Sequence, residues 1–215
     1  MRGVFITLEG GDGSGKSTQA EKLEEWLTEA GRTVVRTREP GGTDFGNEVR
    51  EIVLHSRGHI SPRAEALLYA ADRAQHIATK VRPALERGDV VVQDRYLDSS
   101  VAYQGAGRVL DADEVRQLSL WAAEGLLPDL TILLDLDETE ARRRLDGART
   151  RFDRLENEKS EFHARVRAAF LDLAAKEPDR FLVLDASLPA ETLAARIRGV
   201  VEPLLSRHPA GTDAS

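Results

Sequence analysis

The chain has 215 residues, 41% of them apolar, which suits the core of one α/β domain with small insertions. Its formal charge of −7 argues against a nucleic-acid polymer as partner, which would need a basic face, while local arginines can still bind a small anion. With no cysteine, disulfides and thiolate metal sites are excluded; with no apolar stretch near the ~18 residues of a membrane span and no secretory signal at the amino terminus, a cytoplasmic protein without membrane partners is expected.

Residues 4–8 form the first short apolar run and lead into Glu9-Gly10-Gly11-Asp12-Gly13-Ser14-Gly15-Lys16-Ser17-Thr18. Ala20, Leu23, Leu27 and Ala30 then recur at helical spacing, and Gly31 supplies a C-terminal stop. A second run at 33–37 ends in Arg38-Glu39-Pro40-Gly41-Gly42-Thr43, a strong turn signal, with Arg50 one or two helical turns on. A long helical stripe covers Ala64 to Leu85 and carries Tyr69 and Arg73 at i,i+4. A third run at 90–93 precedes Asp94-Arg95-Tyr96, then Ser99, Ser100, Tyr103 and Gln104. Asp111 reads as the N-cap of a helix running towards Gly125. A fourth run at 130–136 is followed by Arg142, Arg143, Arg144, Arg149, Arg151 and Arg154, with a break expected at Gly147. Phe162, Val166, Phe170 and Leu173 mark a helix before the fifth run at 181–184, and Leu193, Ile197, Val200 and Leu204 mark the last.

These runs are β-branched or leucine-rich rather than alternating, as expected of strands covered on both faces, and long crossovers separate them. The predicted fold is therefore a doubly wound, five-stranded parallel sheet flanked by helices, of P-loop NTPase type, with a small lid. A single domain over 1–207 is expected, with the lid at about 143–156, an acceptor region at about 38–75 and a disordered tail at 208–215. Ligands of such sheets sit at the carboxyl ends of the strands.

Residues 10–17 match G-x-x-x-x-G-K-[ST] in full, between a predicted strand and a predicted helix. Glycines let backbone N–H groups turn inward around phosphate, Lys16 reaches the β- and γ-phosphates, and the Ser17 hydroxyl ligates Mg²⁺. Asp12 has two readings: a hydrogen bond to a sugar hydroxyl or a Mg²⁺-bound water, or a turn-forming residue bonded to its own backbone. Asp94, at a strand end, suits the metal, and Arg95 beside it a phosphate oxygen. Tyr69 and Arg73 suit a flat, hydrogen-bonding base, although on spacing alone a half-buried surface pair is the simpler account. The arginines around Gly147 could close over the transferring group like an arginine finger supplied in cis, Arg142 to Arg144 being in part a solvated helix face.

The loop motif, Arg38-Glu39-Pro40-Gly41-Gly42-Thr43, residues 67–75 (LLYAADRAQ) and Asp94-Arg95-Tyr96-x-x-Ser99-x-x-Ala102-Tyr103-Gln104 together resemble the thymidylate kinases of bacteria, from about residue 5 to 204. The resemblance implies transfer of the γ-phosphoryl group of ATP, with Mg²⁺, onto thymidine monophosphate, and a homodimer. It implies ATP contacts from Gly10 to Thr18 and from Arg149 and Arg151. It implies acceptor contacts from Asp12, Glu39, Pro40, Arg50, Tyr69, Arg73, Arg95, Ser99, Ser100, Tyr103 and Gln104. Within that set Arg95 and Arg50 hold the acceptor phosphate, Arg73 the base edge, and Tyr103 crowds the 2′ position; Ser17 and Asp94 face the metal. Glu156 is carried over near the acceptor, and Asp185-Ala186-Ser187 beside adenine. Two departures stand out: no basic residue replaces Gly13, which leaves catalytic charge to the lid, and Tyr69 stands where phenylalanine is usual. A deoxynucleoside kinase is the alternative enzyme, needing a carboxylate base, and a non-catalytic nucleotide-binding module the alternative of another class.

Overall fold

The five apolar runs form β1 (Phe5–Glu9), β2 (Val34–Arg38), β3 (Val90–Asp94), β4 (Leu130–Asp135) and β5 (Phe181–Asp185), each within a residue or so of its predicted bounds. All pair in parallel in the order β2-β3-β1-β4-β5. The fold comes from a computed structural model that describes residues 2–56, 58–148, 153–156 and 158–207. The predicted tail at 208–215 lies outside the described residues.

Side chains alternate across the sheet. Ile6, Leu8, Val92, Ile132 and Leu134 face a layer made by α1 (Lys16–Glu29) and α9 (Ala190–Arg207), which contribute Ala20, Leu23, Leu27, Ile197 and Val201. Burying each large aliphatic side chain there stabilises the fold by about 1.5–3 kcal/mol. Phe5 and Val91 face the opposite layer. It contains α2 (Asp44–His55), α3 (Pro62–His76), α4 (Arg82–Glu86), α5 (Leu97–Ser100), α6 (Ala112–Ala122) and α8 (Ser160–Lys176); α7 (Glu138–Ala148) follows β4. Helices on both faces make the sheet doubly wound. Because β1 lies between β3 and β4, its carboxyl end is where the strand order reverses, so the loop after β1 opens into the ligand crevice.

Asp111 caps α6 as predicted, accepting from the backbone N–H groups of Asp113 and Glu114 at 2.9 and 3.0 Å. Thr43 and Ser61 cap α2 and α3 in the same way. The stripe from Ala64 to Leu85 is not one regular helix. A π-helical turn, Ile77–Val81, separates α3 from α4. Pro83, lacking an N–H for the i→i−4 ladder, lies two residues beyond it. The expected break at Gly147 is also absent, since α7 continues through it to Ala148: a single glycine costs about 1 kcal/mol relative to alanine and does not by itself end a helix. Residues 97–107 fold as α5 and a second π-helical segment, Val101–Gly107, for which the sequence carries no clear helical stripe.

Candidate active site

Three glycines of the loop after β1 have positive φ: Gly10 at 133°, Gly13 at 78° and Gly15 at 92°. A Cβ on Gly10 would collide with the Leu134 carbonyl oxygen of the neighbouring strand, so side chains are barred by space as well as conformation. Lys16, nearly buried, folds back over the loop and donates to the carbonyls of Gly10 and Gly11 at 3.1 and 2.7 Å. Burial first, then the charge of Arg95, lower its pKa to about 8. Ser17 Oγ donates to Asp94 Oδ2 at 3.0 Å, which brings together the two residues expected at the metal.

Arg95 sits at the end of β3 with φ 66°, a left-handed conformation that costs a non-glycine residue of order 1–3 kcal/mol. The turn sends its guanidinium back across the loop. Nη1 donates to the Gly10 carbonyl at 3.0 Å and to Ser99 Oγ at 3.1 Å; Nη2 donates to Asp12 Oδ1 at 2.6 Å and to the Tyr103 hydroxyl at 3.2 Å. Tyr103 in turn donates to the other oxygen of Asp12 at 3.2 Å. Burial alone would raise the Asp12 pKa, but Arg95 and then Lys16 overcome it and hold it at about 2. Of the two readings of Asp12, the bland turn is therefore not what is found: both its oxygens are used by side chains of other elements. Beneath Arg95, Glu9 is buried, accepting from the backbone N–H of Tyr96 at 2.8 Å and from Ser99 Oγ at 2.6 Å. Burial, then Asp98, push its carboxyl up to about 7.

Two clefts meet at Asp12 and Arg95. The wider, of about 810 Å³, runs from the loop and the start of α1 to the end of β2 and the Lys80 side chain. Seven basic side chains (Lys16, Arg36, Arg38, Arg50, Lys80, Arg95, Arg144) line it against four acidic ones (Asp12, Glu39, Asp94, Glu156), a local excess of positive charge in a chain of net −7. The narrower, of about 70 Å³, is lined by Glu39, Pro40, Arg50, Tyr69, Arg73, Ser99, Ser100, Tyr103 and Gln104, all of them expected at the acceptor, together with Asp153 and Leu155. The Glu39–Pro40 peptide is cis. Arg50 donates to the Pro40 carbonyl at 3.0 Å. Arg73 is buried and spends its fork on protein: Nε on Glu39 at 3.0 Å, Nη1 on Ser119 and Nη2 on Ser100, both at 3.1 Å. Glu39 also pairs with His76 Nδ1 at 3.0 Å. Arg73, expected from the resemblance at the base edge, is a strut joining α3, α5, α6 and the turn after β2.

A protein-family model described as Thymidylate kinase matches residues 8–197. The chain belongs to the thymidylate kinase family. It is 80% identical over 196 residues to the thymidylate kinase of Leifsonia xyli subsp. xyli, covering 91% of this chain and 93% of that one. It is 52% identical over 200 residues to the thymidylate kinase of Deinococcus radiodurans, covering 93% and 97%. The crystal structure of thymidylate kinase from Ehrlichia chaffeensis superposes with a TM-score of 0.76 at 32% identity, over 94% of this chain and 99% of that one. The family is one of ATP-dependent phosphotransferases, and membership favours phosphorylation of dTMP over the nucleoside-kinase and non-catalytic alternatives.

The lid arginines expected of a thymidylate kinase divide. Arg149 and Arg151 lie outside the described residues. Arg142 and Arg143 form exposed pairs with Asp146 and Glu140, the solvated helix face foreseen for them. Arg144 turns inward, donating to Glu140 at 3.0 Å and to the Ala186 carbonyl at 3.0 Å, and so ties α7 to the segment 185–187. Arg154 is not among the residues that line the wide cleft. It donates to Val53 O at 2.9 Å and to Glu65. Glu156 is buried and accepts from the Asp153 N–H at 2.9 Å, bordering the wide cleft. The sequence does not single out Lys80, which lines the wide cleft, or Glu9 and Glu65, which bond the cleft residues Ser99 and Gln104 from behind. Glu65 had a signal, standing at i−4 from Tyr69 on the same helix face; Glu9, one residue before the loop, had none beyond adjacency.

Proposed function

We propose that the wide cleft holds the triphosphate of ATP and the narrow one the nucleoside of dTMP, so that the two phosphates meet beside Arg95 and the γ-phosphoryl group passes to the acceptor, giving dTDP and ADP. The observation that carries this is Arg95 itself, turned by a left-handed backbone to bridge the phosphate loop, Asp12 and the base cleft. In this reading an acceptor phosphate takes one part of its fork, with Arg50 alongside. An ionised phosphate oxygen attacks the γ-phosphorus, the bond to the β,γ-bridging oxygen breaks, and no proton has to be removed. Catalysis is then alignment and charge neutralisation, from Lys16, Arg95 and the lid arginines, proposed to be Arg149 and Arg151.

The carboxylates support an anionic acceptor. A nucleoside kinase needs a base at the sugar hydroxyl, yet Asp12, pinned by Arg95 and Tyr103 with its pKa near 2, is a poor one. Glu9 has a pKa near 7 but is sealed beneath α5 with both oxygens engaged. We assign Asp12 to the sugar 3′-hydroxyl, Tyr103 to the 2′ side, and Tyr69, Ser100 and Gln104 to the base. Ser17 and Asp94 offer a hydroxyl and a carboxylate oxygen, the hard donors Mg²⁺ accepts beside water and phosphate oxygens, and they would hold it. Bound with ATP, the ion would supply positive charge that offsets the phosphate charge during transfer. The cysteine-free chain suits a reducing cytosol, where we place the reaction; among the described residues no helix is long and apolar enough to cross a membrane.

The test is incubation with ATP, Mg²⁺ and each nucleoside monophosphate in turn, with thymidine as a separate acceptor. Formation of dTDP far faster than other diphosphates is expected; phosphorylation of thymidine but not of dTMP would overturn the reading.

We also propose a homodimer. Trp121 of α6 is 79% exposed and Leu67 of α3 58%, with Phe45 and Ile52 of α2 also uncovered, and α3 packs against both other helices. Sedimentation at micromolar concentration is expected to give twice the chain mass, and a monomer there would remove this proposal.

A further inference from the structure

Behind Gln104, which lines the narrow cleft, lies a carboxylate that the reaction chemistry does not use. Glu65 on α3 is fully buried, and its carboxylate collects three side chains. Oε1 accepts from Gln104 Nε2 at 2.9 Å and from Arg108 Nε at 3.2 Å; Oε2 accepts from Arg108 Nη2 at 3.3 Å and from Arg154. Two guanidiniums keep a buried acid charged where isolation would not. Burial opposes ionisation, but the bonds from Gln104, Arg108 and Arg154 outweigh it and hold the Glu65 pKa below its ordinary value.

An ionised carboxylate only accepts hydrogen bonds. The amide of Gln104 has one face that donates and one that accepts, so beside Glu65 it must turn its NH₂ group to the acid. Its Oε1 is then left towards the cleft, where Gln104 stands with Tyr69, Arg73 and Ser100. A fixed acceptor at that place matches the N3–H of thymine or uracil. It repels cytosine, whose N3 carries a lone pair.

We propose that Glu65 is a positioning residue for base selection: by locking the Gln104 amide in one orientation it makes the site accept N3–H pyrimidines and reject cytosine. This rests on the dTMP reading above. The experiment compares kcat/KM for dTMP and dCMP in the wild type, in Glu65→Gln and in Glu65→Asp, each also in a Gln104→Met background. A neutral glutamine at 65 can donate as well as accept and so releases the amide. The ratio of dTMP to dCMP efficiency is expected to fall about tenfold or more in Glu65→Gln, mainly through a higher KM for dTMP. In the Gln104→Met background the same substitution is expected to change the ratio by less than about twofold, since nothing remains to be oriented. Should Glu65→Gln fail to fold, Glu65→Asp keeps the charge for Arg108 and Arg154 while withdrawing it from Gln104, and is expected to shift the ratio the same way. A parallel loss on both substrates, with the ratio unchanged, would overturn the proposal and leave Glu65 a structural anchor. A shift of equal size without Gln104 would overturn it too. Wild-type enzyme that does not prefer dTMP over dCMP would instead sink the dTMP reading itself.

Discussion

Arg95→Ala is expected to lower the rate of dTMP phosphorylation by about 10³-fold or more, the scale of loss when a positioned arginine is taken from a phosphoryl-transfer site. The proposed role makes two demands on this side chain: a charge close to two repelling phosphates, and a planar fork that fixes their line of approach. Arg95→Lys keeps the first and loses the second, because a compact ammonium cannot span Gly10, Ser99 and Asp12 together, so its activity should fall between wild type and alanine. The loss should appear in kcat and in the KM for dTMP, while direct titration with ATP changes little, since Lys16 and the loop amides remain. Folding should survive, because alanine suits the left-handed backbone no worse than arginine does. Removing the guanidinium does leave the half-buried Asp12 beside Lys16 and Tyr103 alone. That carboxylate, depressed to about 2 in the folded protein against 3.8 ordinarily, contributes stability present above pH 3.8 and lost as pH falls towards 2. The variant should therefore melt somewhat lower at neutral pH, with less further loss on acidification across that window. Near-normal turnover in Arg95→Ala would sink the assignment.

The residues that were legible beforehand share one property: their positions are fixed by local sequence. Five apolar runs bounded by turn signals gave the strands, and the loop motif, with its glycines at positive φ, needs only its immediate neighbours. Asp94 ends a strand and Arg95 follows it, so both reach the crevice in any doubly wound sheet. The unread features depend on partners distant along the chain. Glu65 is an ordinary helix residue until Gln104, Arg108 and Arg154 are folded around it. Arg154 looked like part of a phosphate-facing run because its charge is visible in sequence, while its bonds to Val53 and Glu65 are not. Asp98 and Arg180, 82 residues apart, make a buried two-pronged pair under α5 that no local pattern announces. The π-helical turns escaped for a different reason: helical periodicity of 3.6 is blurred, not broken, by one wide turn.

Lys16→Met is expected to be as damaging as the loss of Arg95, again about 10³-fold or more in turnover, with a different signature. Methionine keeps an unbranched stem of similar length and removes only the ammonium, so the loop's glycine-dependent shape is left alone. Nor should stability suffer. Burial, then Arg95, lower the lysine's pKa to about 8 from 10.5, so the folded protein binds fewer protons than the unfolded chain between those values. Stability from this group therefore rises as pH climbs from 8 to 10.5, and below pH 8 its buried charge is a net cost that methionine removes. The melting temperature of Lys16→Met at neutral pH should equal or exceed that of the wild type. The same shift gives the wild type a pH signature. Its kcat/KM for ATP reports the free enzyme and should decline above about pH 8 as Lys16 loses its proton. Bound phosphates favour the charged lysine, so kcat should hold level to higher pH. Steady-state kinetics from pH 6.5 to 10 separate the two curves. A kcat/KM for ATP that stays flat to pH 10, or a methionine variant turning over near the wild-type rate, would show that the ammonium in the loop is not what neutralises the transferring phosphate.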